Sequence, residues 1–525
     1  MSFNITTMFN PDVYDHPVDK IELVETHISW VLLTGKFAYK IKKPVNYGFL
    51  DFSTLEKRHD YCEQELRLNR RLAAAIYLDV VSISGSVDRP RISVSGEAFE
   101  YAVKMLQFPQ SAQLDHMLEA GELNPDHIDA VARMVASFHQ TINIADDSME
   151  YGNNLAVYNP VEENFIQIKL YMDTAPYLST LTSLKRWAIY EFTKLEAVFS
   201  QRKRDGFVRE CHGDMHLRNL VWLKQGDSAG PVAFDCIEFN PELRWIDVIS
   251  EVAFVMMDLQ DRQEHGMANR FLNSYLEVTG DYSGLSVLHF YLCYRALVRA
   301  KVDALRLAQK SITEQEKEHL TAEFESYLDL AMYNTQAPAP KLIIMHGLSA
   351  SGKSTVSHSL ADALAAVRIR SDVERKRMFN TKASESALYE VNTGIYSWRA
   401  SQQAYAKLAE LAEQVIAAGY SVIVDAAFLK YEQRQVFHRL ARQLGVAYII
   451  LDITAPIEML RERIVKREHD VSDAGLAVLQ HQLVNWNPLL ESEIKYAVRV
   501  NTAEPLEITE LIERIHGADQ GLVTS

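Results

Sequence analysis

The sequence predicts an α+β part followed by an α/β part, two folded domains in one chain. Three observations carry that prediction. Strand signals crowd residues 20–107 and long helical patterns run from there to about residue 333; short apolar runs alternate with helical stretches from residue 341 onward; and NTQAPAP, Asn334 to Pro340, stands between them with two prolines among small and polar residues. The last is a linker signature, and it places the domains at 1–333 and 341–525 with 334–340 between them. A chain of 525 residues is also too long for one ordinary core.

In the first part, strand-like runs are IELVETHISWVLLTG, FAYKIKKPV, DVVSISGS, RISVSG and FEYAVKMLQF, interrupted by one helix from about Leu55 to Ala75. From about Phe108 to Tyr333 the pattern is helical apart from short apolar runs near Cys211 and Phe234. In the second part, strands are expected at LIIM, VRIRS, SVIVD, AYIILD and AVRVN. Strands separated in this way by helices form a parallel sheet covered on both faces.

Hydrophobic content of 48% and charged content of 24% are those of a globular protein. The net charge of −16 repels polyanions and argues against a nucleic-acid acceptor. Cys62, Cys211, Cys236 and Cys293 form no CxxC pair, so neither a disulfide framework nor a zinc ribbon is expected. With no secretory signature in MSFNITTMFNPDVYDHP and no apolar run of about 18 residues, a cytoplasmic protein without membrane contact is expected. The oligomeric state is not legible.

CHGDMHLRNL, Cys211 to Leu220, looks at first like a metal cluster, but HxDxH on one short segment supplies only part of a ligand set. The spacing of His212, Asp214 and Asn219 instead fits H-x-D-x-x-x-x-N. In a kinase catalytic loop of that form the Asp takes the proton of the attacking hydroxyl and the Asn holds magnesium. Asp235 then closes the apolar run VAFD, at a strand end where a second carboxylate could reach the same metal. Here the chain resembles the aminoglycoside phosphotransferase-like superfamily, which includes choline and fructosamine kinases and shares the bilobal protein-kinase fold. The motifs are HGDMHLRN and AFDCIEF, and the likeness spans roughly residues 20–330. It implies Asp214 as catalytic base and Asn219 and Asp235 as Mg²⁺ ligands, and it asks for a strand lysine on the ATP phosphates paired with a helix glutamate. AYKIKKP offers Lys40 and Lys42 on one strand face, and CEQELRLNRRL offers Glu63 and Glu65; Lys40 with Glu65 is favoured, Lys42 being the rival. No GxGxxG precedes these strands. Asp247 resembles the family's structural aspartate behind the loop, or is a helix cap. His216 supports the loop or is a packed polar residue, and Cys211 and Cys236 read as small buried side chains.

The second motif is GLSASGKS, which satisfies G-x-x-x-x-G-K-[ST]. It follows an expected strand and opens an expected helix, so the backbone of Gly347, Leu348, Ser349, Ala350, Ser351, Gly352, Lys353, Ser354 and Thr355 could cradle ATP phosphates. Lys353 would reach the β and γ phosphates and Ser354 would hold Mg²⁺. Asp372 and Asp425 close two later strands at the edge where ligands gather in parallel sheets. The segment looks like the zeta-toxin and polynucleotide-kinase group of P-loop kinases. That likeness implies Asp372 as base, Arg375 on the substrate and Asp425 as the Walker B metal carboxylate. It also implies a mobile lid carrying Arg463 and Arg467, which stand four apart in PIEMLRERIVKREHD and repel one another unless an anion lies between them. Ordinary strand-end aspartates and a salt-bridged surface helix are the plain alternatives. Tyr405 and Leu408 read as core.

The resulting expectation is an ATP- and Mg²⁺-dependent phosphotransferase with two nucleotide sites, acting on a hydroxyl of a small molecule. Two alternatives remain: one domain catalytic and the other a nucleotide-gated regulator, or a nucleic-acid 5′-end kinase.

Overall fold

The structure is a computed structural model that describes residues 3–46, 50–92, 96–172, 175–226, 228–309, 312–336, 338–379, 398–466 and 476–523. The chain divides into two compact units, Met1–Asn164 with Thr193–Asp258, and Phe165–Phe192 with Leu259–Ser525. Residues 334–340 fall inside the second unit. Among the described residues, no helix is long and apolar enough to cross a membrane.

The first unit is built on a six-stranded antiparallel sheet of β1 (Glu22–Glu25), β2 (Ser29–Leu33), β3 (Phe37–Lys42), β4 (Tyr77–Ser86), β5 (Arg89–Ile92) and β6 (Glu100–Leu106), in the order β1-β2-β3-β6-β4-β5. Alternation along β3 decides what the sheet presents on each face. Tyr39 and Ile41 enter a core with Met8, Leu32, Ile83 and Ala102. Ala38 points the other way, into a core with Cys62, Leu66 and Val103, and period two sends Lys40 and Lys42 to that same face. The helix Leu55–Ala73 lies there, capped by Thr54 Oγ1 accepting from Lys57 N. It ends two residues short of the expected Ala75, within the usual scatter of helix ends. The remaining strands of this unit are two short antiparallel pairs. They are β7 (Val208–Glu210) with β10 (Trp245–Asp247), and β8 (Leu220–Gln225) with β9 (Ser228–Ala233). The loop of the first motif therefore runs between β7 and β8.

The second unit contains the helices His265–Thr279, Leu285–Leu307 and Glu314–Tyr333 and a five-stranded sheet. Its strands are β11 (Lys341–His346), β12 (Val367–Arg370), β13 (Val422–Asp425), β14 (Ala447–Thr454) and β15 (Ala497–Asn501), all parallel, in the order β12-β13-β11-β14-β15. All five strands expected from the apolar runs are present. Ile343, Met345, Ile449 and Leu451 pack one face against Val356, Leu360, Leu511 and Ile515 from the helices Lys353–Leu364 and Ile508–Val523. The outer edge of β12 is covered by the helix His265–Thr279. Asn273 accepts from Arg368 N at 2.7 Å and donates to Ala366 O at 3.0 Å, while Asn269 donates to Ala361 O at 2.6 Å. An exposed edge strand is a liability, and here Asn273 takes up the Arg368 N–H of that edge while Asn269 and Asn273 hold the carbonyls just before it.

Candidate active sites

In the first unit, Lys40 Nζ lies 2.8 Å from Glu65 Oε1 and 2.5 Å from Asp235 Oδ1. Lys42 Nζ lies 2.7 Å from the other oxygen of the same carboxylate and pairs with Glu238. Both lysines therefore meet Glu65, and what separates them is the third partner. Lys40 reaches the candidate metal carboxylate, whereas Lys42, fully buried, is locked between two glutamates. Glu63 is half exposed and meets His59 at 3.6 Å. Burial alone would push the Glu65 carboxyl up, but the two ammonium groups outweigh it and hold the group down at about 2. Burial likewise opposes the charge on Lys40 and is outweighed by Asp235, Glu65 and Glu238, so its ammonium is held well above the usual lysine range.

The catalytic-loop motif is held by carboxylates behind it. Glu251 accepts from His212 N at 3.1 Å and from Gly213 N at 2.6 Å, and Asp258 accepts from Leu217 N at 2.7 Å. Burial opposes the charge on Glu251, yet hydrogen bonding and attraction from His139 hold its carboxyl down at about 2. Gly213 has φ +90°, and a Cβ there would stand 2.7 Å from Leu243 O, so the turn requires glycine. His212 is a strut: Nε2 donates to Phe234 O at 2.9 Å and Nδ1 accepts from Asp214 N at 3.4 Å. Burial lowers its pKa, favouring the neutral ring. Asp214 keeps a side chain 37% exposed, with Asn219 Nδ2 on its Oδ2 at 3.0 Å and His216 Nε2 at 3.5 Å. A half-open carboxylate, oriented by an amide and an imidazole, can accept a proton from a hydroxyl.

Asp235 sits two residues past β9 at φ +63°, donating its N–H to Tyr77 Oη at 3.1 Å, with its side chain 45% exposed. That backbone conformation is uncommon for a non-glycine residue and aims the carboxylate at Lys40. With Asn219 Nδ2 engaged on Asp214, Asn219 Oδ1 is left as an oxygen donor, and it and the Asp235 carboxylate are of the ligand type Mg²⁺ takes. Cys211 Sγ and Cys236 Sγ contact the carbonyls of Ile246 and His212, both thiols being buried, and burial pushes the Cys236 thiol up to about 12. His139, Cys211 and Glu251 also converge within 4.8 Å, but Glu251 is occupied by the loop amides and His139. Asp247 caps Ile249 N at 2.9 Å, the helix-cap role its sequence context offers, and grips Arg202 at 2.6 and 2.9 Å. The sequence did not single out Glu238, Glu251 or Asp258, because each meets partners far away in the chain.

In the second unit, the loop Gly347–Gly352 links β11 to the helix Lys353–Leu364. Gly347 has φ +153°, and a Cβ there would stand 2.5 Å from Ile453 O; Gly352 has φ +94°, and Ala350 holds φ +64°. Lys353 Nζ arches back over the loop to Leu348 O at 2.7 Å. Ser354 and Thr355 are exposed at the helix start, and Asp425, closing β13, accepts from Ser357 Oγ at 3.0 Å. Ser351 is buried, and its N–H donates to Leu348 O at 3.2 Å. Asp372 lies in the first turn of the helix Ser371–Met378, and buried Arg375 donates from Nη1 to Ser401 Oγ at 3.3 Å. Arg463 Nη1 contacts Ala350 O at 3.4 Å and Thr502 Oγ1 at 2.9 Å, placing its guanidinium on the carbonyl side of the loop. Arg467 lies outside the described residues. Tyr405 Oη accepts from Phe428 N at 3.2 Å, and Leu408 is fully buried.

These features define a P-loop fold in the C-terminal part of the chain, preceded by the antiparallel sheet and loop motif of the first unit. Residues 342–489 match a family described as an AAA domain. An uncharacterized protein of Mycobacterium tuberculosis (strain H37Rv) is 29% identical over 501 residues, covering 94% of this chain and 95% of that protein. Among solved structures, a sugar kinase of Janibacter sp. HTCC2649 is 24% identical with a TM-score of 0.26, covering 33% of this chain and 91% of its own. An ethanolamine kinase of Plasmodium vivax is 9% identical with a TM-score of 0.36, covering 60% of this chain and 84% of its own.

Proposed function

We propose that the chain is an ATP- and Mg²⁺-dependent phosphotransferase with two nucleotide sites, each passing the γ-phosphate to a hydroxyl of a small molecule. Its domains are 1–333 and 341–525, joined by 334–340. The observation that carries this reading is that Lys40, Glu65 and Asp235 meet from three separated stretches of sequence in the first unit, while Asn219 orients Asp214 within the loop motif. In that site Lys40 grips phosphate oxygens, Asn219 and Asp235 hold Mg²⁺, and Asp214 accepts the proton of the acceptor hydroxyl. The metal supplies charge neutralisation on the phosphate oxygens.

In the second site, Lys353 and the loop amides take the phosphates, Ser354 and Asp425 hold Mg²⁺, and Asp372 acts as base with Arg375 beside it. Arg463 and Arg467 belong to the segment that follows the phosphates. Positioning and charge neutralisation supply most of the catalysis in both sites. The acceptor is a small molecule: the net charge of −16 disfavours a polyanion. Incubation with γ-labelled ATP tests this, offering a metabolite extract in one tube and a 5′-hydroxyl oligonucleotide in another. Label should enter small molecules. Label on the oligonucleotide alone overturns the acceptor class, and no transfer to either overturns the enzyme reading.

A further inference from the structure

The helix Leu476–Asn485 makes a polar contact with the phosphate loop. Gln482 Oε1 accepts the backbone N–H of Ser349 at 2.8 Å. Two residues of context give that contact meaning. Leu348, the neighbour of Ser349, receives the Lys353 ammonium at 2.7 Å, so the lysine that spans the outer phosphates of a bound nucleotide already ends one residue from the Gln482 contact. In a nucleotide spanned by Lys353, the N–H held by Gln482 would lie on the arm of the loop toward the terminal phosphate. A carboxamide oxygen and a phosphate oxygen are both acceptors, and they compete for that one donor.

The helix is anchored just beyond Gln482. Trp486 stacks on His346, with ring centroids 5.7 Å apart and planes 13° apart, and His346 Nδ1 is held by Asp452 Oδ1 at 2.8 Å. Asn487 N donates to Leu429 O at 2.8 Å, and Asn487 Oδ1 accepts from Tyr431 N at 3.3 Å. Gln482 is therefore presented to the loop from a fixed base one turn away, which keeps its amide within reach once the Ser349 N–H changes partner.

We infer that Gln482 reads the terminal phosphate. Without nucleotide its Oε1 holds the Ser349 N–H; with a triphosphate a γ-oxygen takes that N–H and the Gln482 side chain turns to donate from Nε2 to the same phosphate. A diphosphate has no group to make that exchange, so Gln482 is a positioning residue that distinguishes ATP from ADP. The inference rests on the phosphate-loop reading, and its test separates the two.

Full-length protein carrying Lys40→Met and Asp235→Ala, which removes both the phosphate grip and a metal carboxylate of the first site, is titrated calorimetrically with ADP and with the non-hydrolysable β,γ-imido analogue of ATP, before and after Gln482→Ala. The analogue should bind about tenfold more weakly after the change, the equivalent of one charge-assisted hydrogen bond, while ADP affinity stays constant. Gln482→Glu keeps the size and the acceptor for Ser349 N–H but sets a carboxylate against the phosphate, so it should weaken the analogue further at unchanged melting temperature. Unchanged or tighter analogue binding in Gln482→Ala overturns the inference, as does an equal loss for both nucleotides. Failure of the parent to bind either nucleotide overturns the phosphate-loop reading itself, and the inference with it.

Discussion

Replacing Lys42 by Met and Lys40 by Met should separate structure from chemistry in the first site. Lys42 is fully buried between Glu65 and Glu238, so its loss leaves two buried carboxylates facing each other with only Lys40 nearby. Breaking a buried pair from one side costs about 3–5 kcal/mol. At about 2–4 °C per kcal/mol for a domain of this order of size, the melting transition should fall by roughly 6–20 °C. Lys40→Met is different: Glu65 keeps Lys42, and the other partner freed, Asp235, is 45% exposed and can be hydrated. Its cost in stability should be about 1–3 kcal/mol, near that of one lost charged hydrogen bond, while transfer at the first site should collapse. Calorimetry of each variant, paired with an assay of γ-phosphate transfer, reads both quantities. The reasoning is refuted if Lys42→Met melts like the wild type, or if Lys40→Met transfers phosphate at the wild-type rate.

Three further outcomes follow from the geometry. Gly213→Ala forces a Cβ to 2.7 Å from Leu243 O at φ +90°, so it should lose about 1–3 kcal/mol in calorimetry and silence transfer at the first site. Asn273→Ala leaves the Arg368 N–H of the edge strand without its acceptor and should cost about 1–3 kcal/mol, read as a lower urea midpoint of the second unit. The Glu65 carboxyl is depressed to about 2 in the folded protein, so its stabilisation is whole above the ordinary glutamate range near pH 4.5 and is lost as pH falls toward 2. Glu65→Gln should therefore flatten the stability loss between about pH 5 and 2, leaving the part contributed by Glu251, which has the same sign. An unchanged acid limb in urea titrations would count against the Glu65 assignment.

Local chemistry was the legible part of this chain. The parallel sheet could be read because each of its strands is an apolar run closed by a polar residue, as in VIVD and AYIILD. Lys40 and Lys42 could be put on one face by period two, but the contact that distinguishes them, Lys40 with Asp235, spans 195 residues of the chain. Glu251 and Asp258 stayed hidden for a different reason. They bind backbone amides of the loop, and a carboxylate on the helix Val248–Asp261 carries no mark of which amide it will meet. Asn269 and Asn273 read as polar helix positions, although the carbonyls and amide they satisfy lie about 90 residues further on. The compact units likewise follow contacts of this long-range kind, and so the helices after Leu259 group with the phosphate-loop sheet although NTQAPAP separates them in sequence.

The most direct measurement for the two-site account is a mass-resolved survey of phosphorylated products formed from ATP and a metabolite extract by the wild type, Asp214→Ala and Asp372→Ala. Two sets of products are predicted, one lost with each substitution and the other retained. If either substitution leaves every product intact and alters only the response to ATP, one centre is a regulator and the claim of two phosphotransferase sites is contradicted.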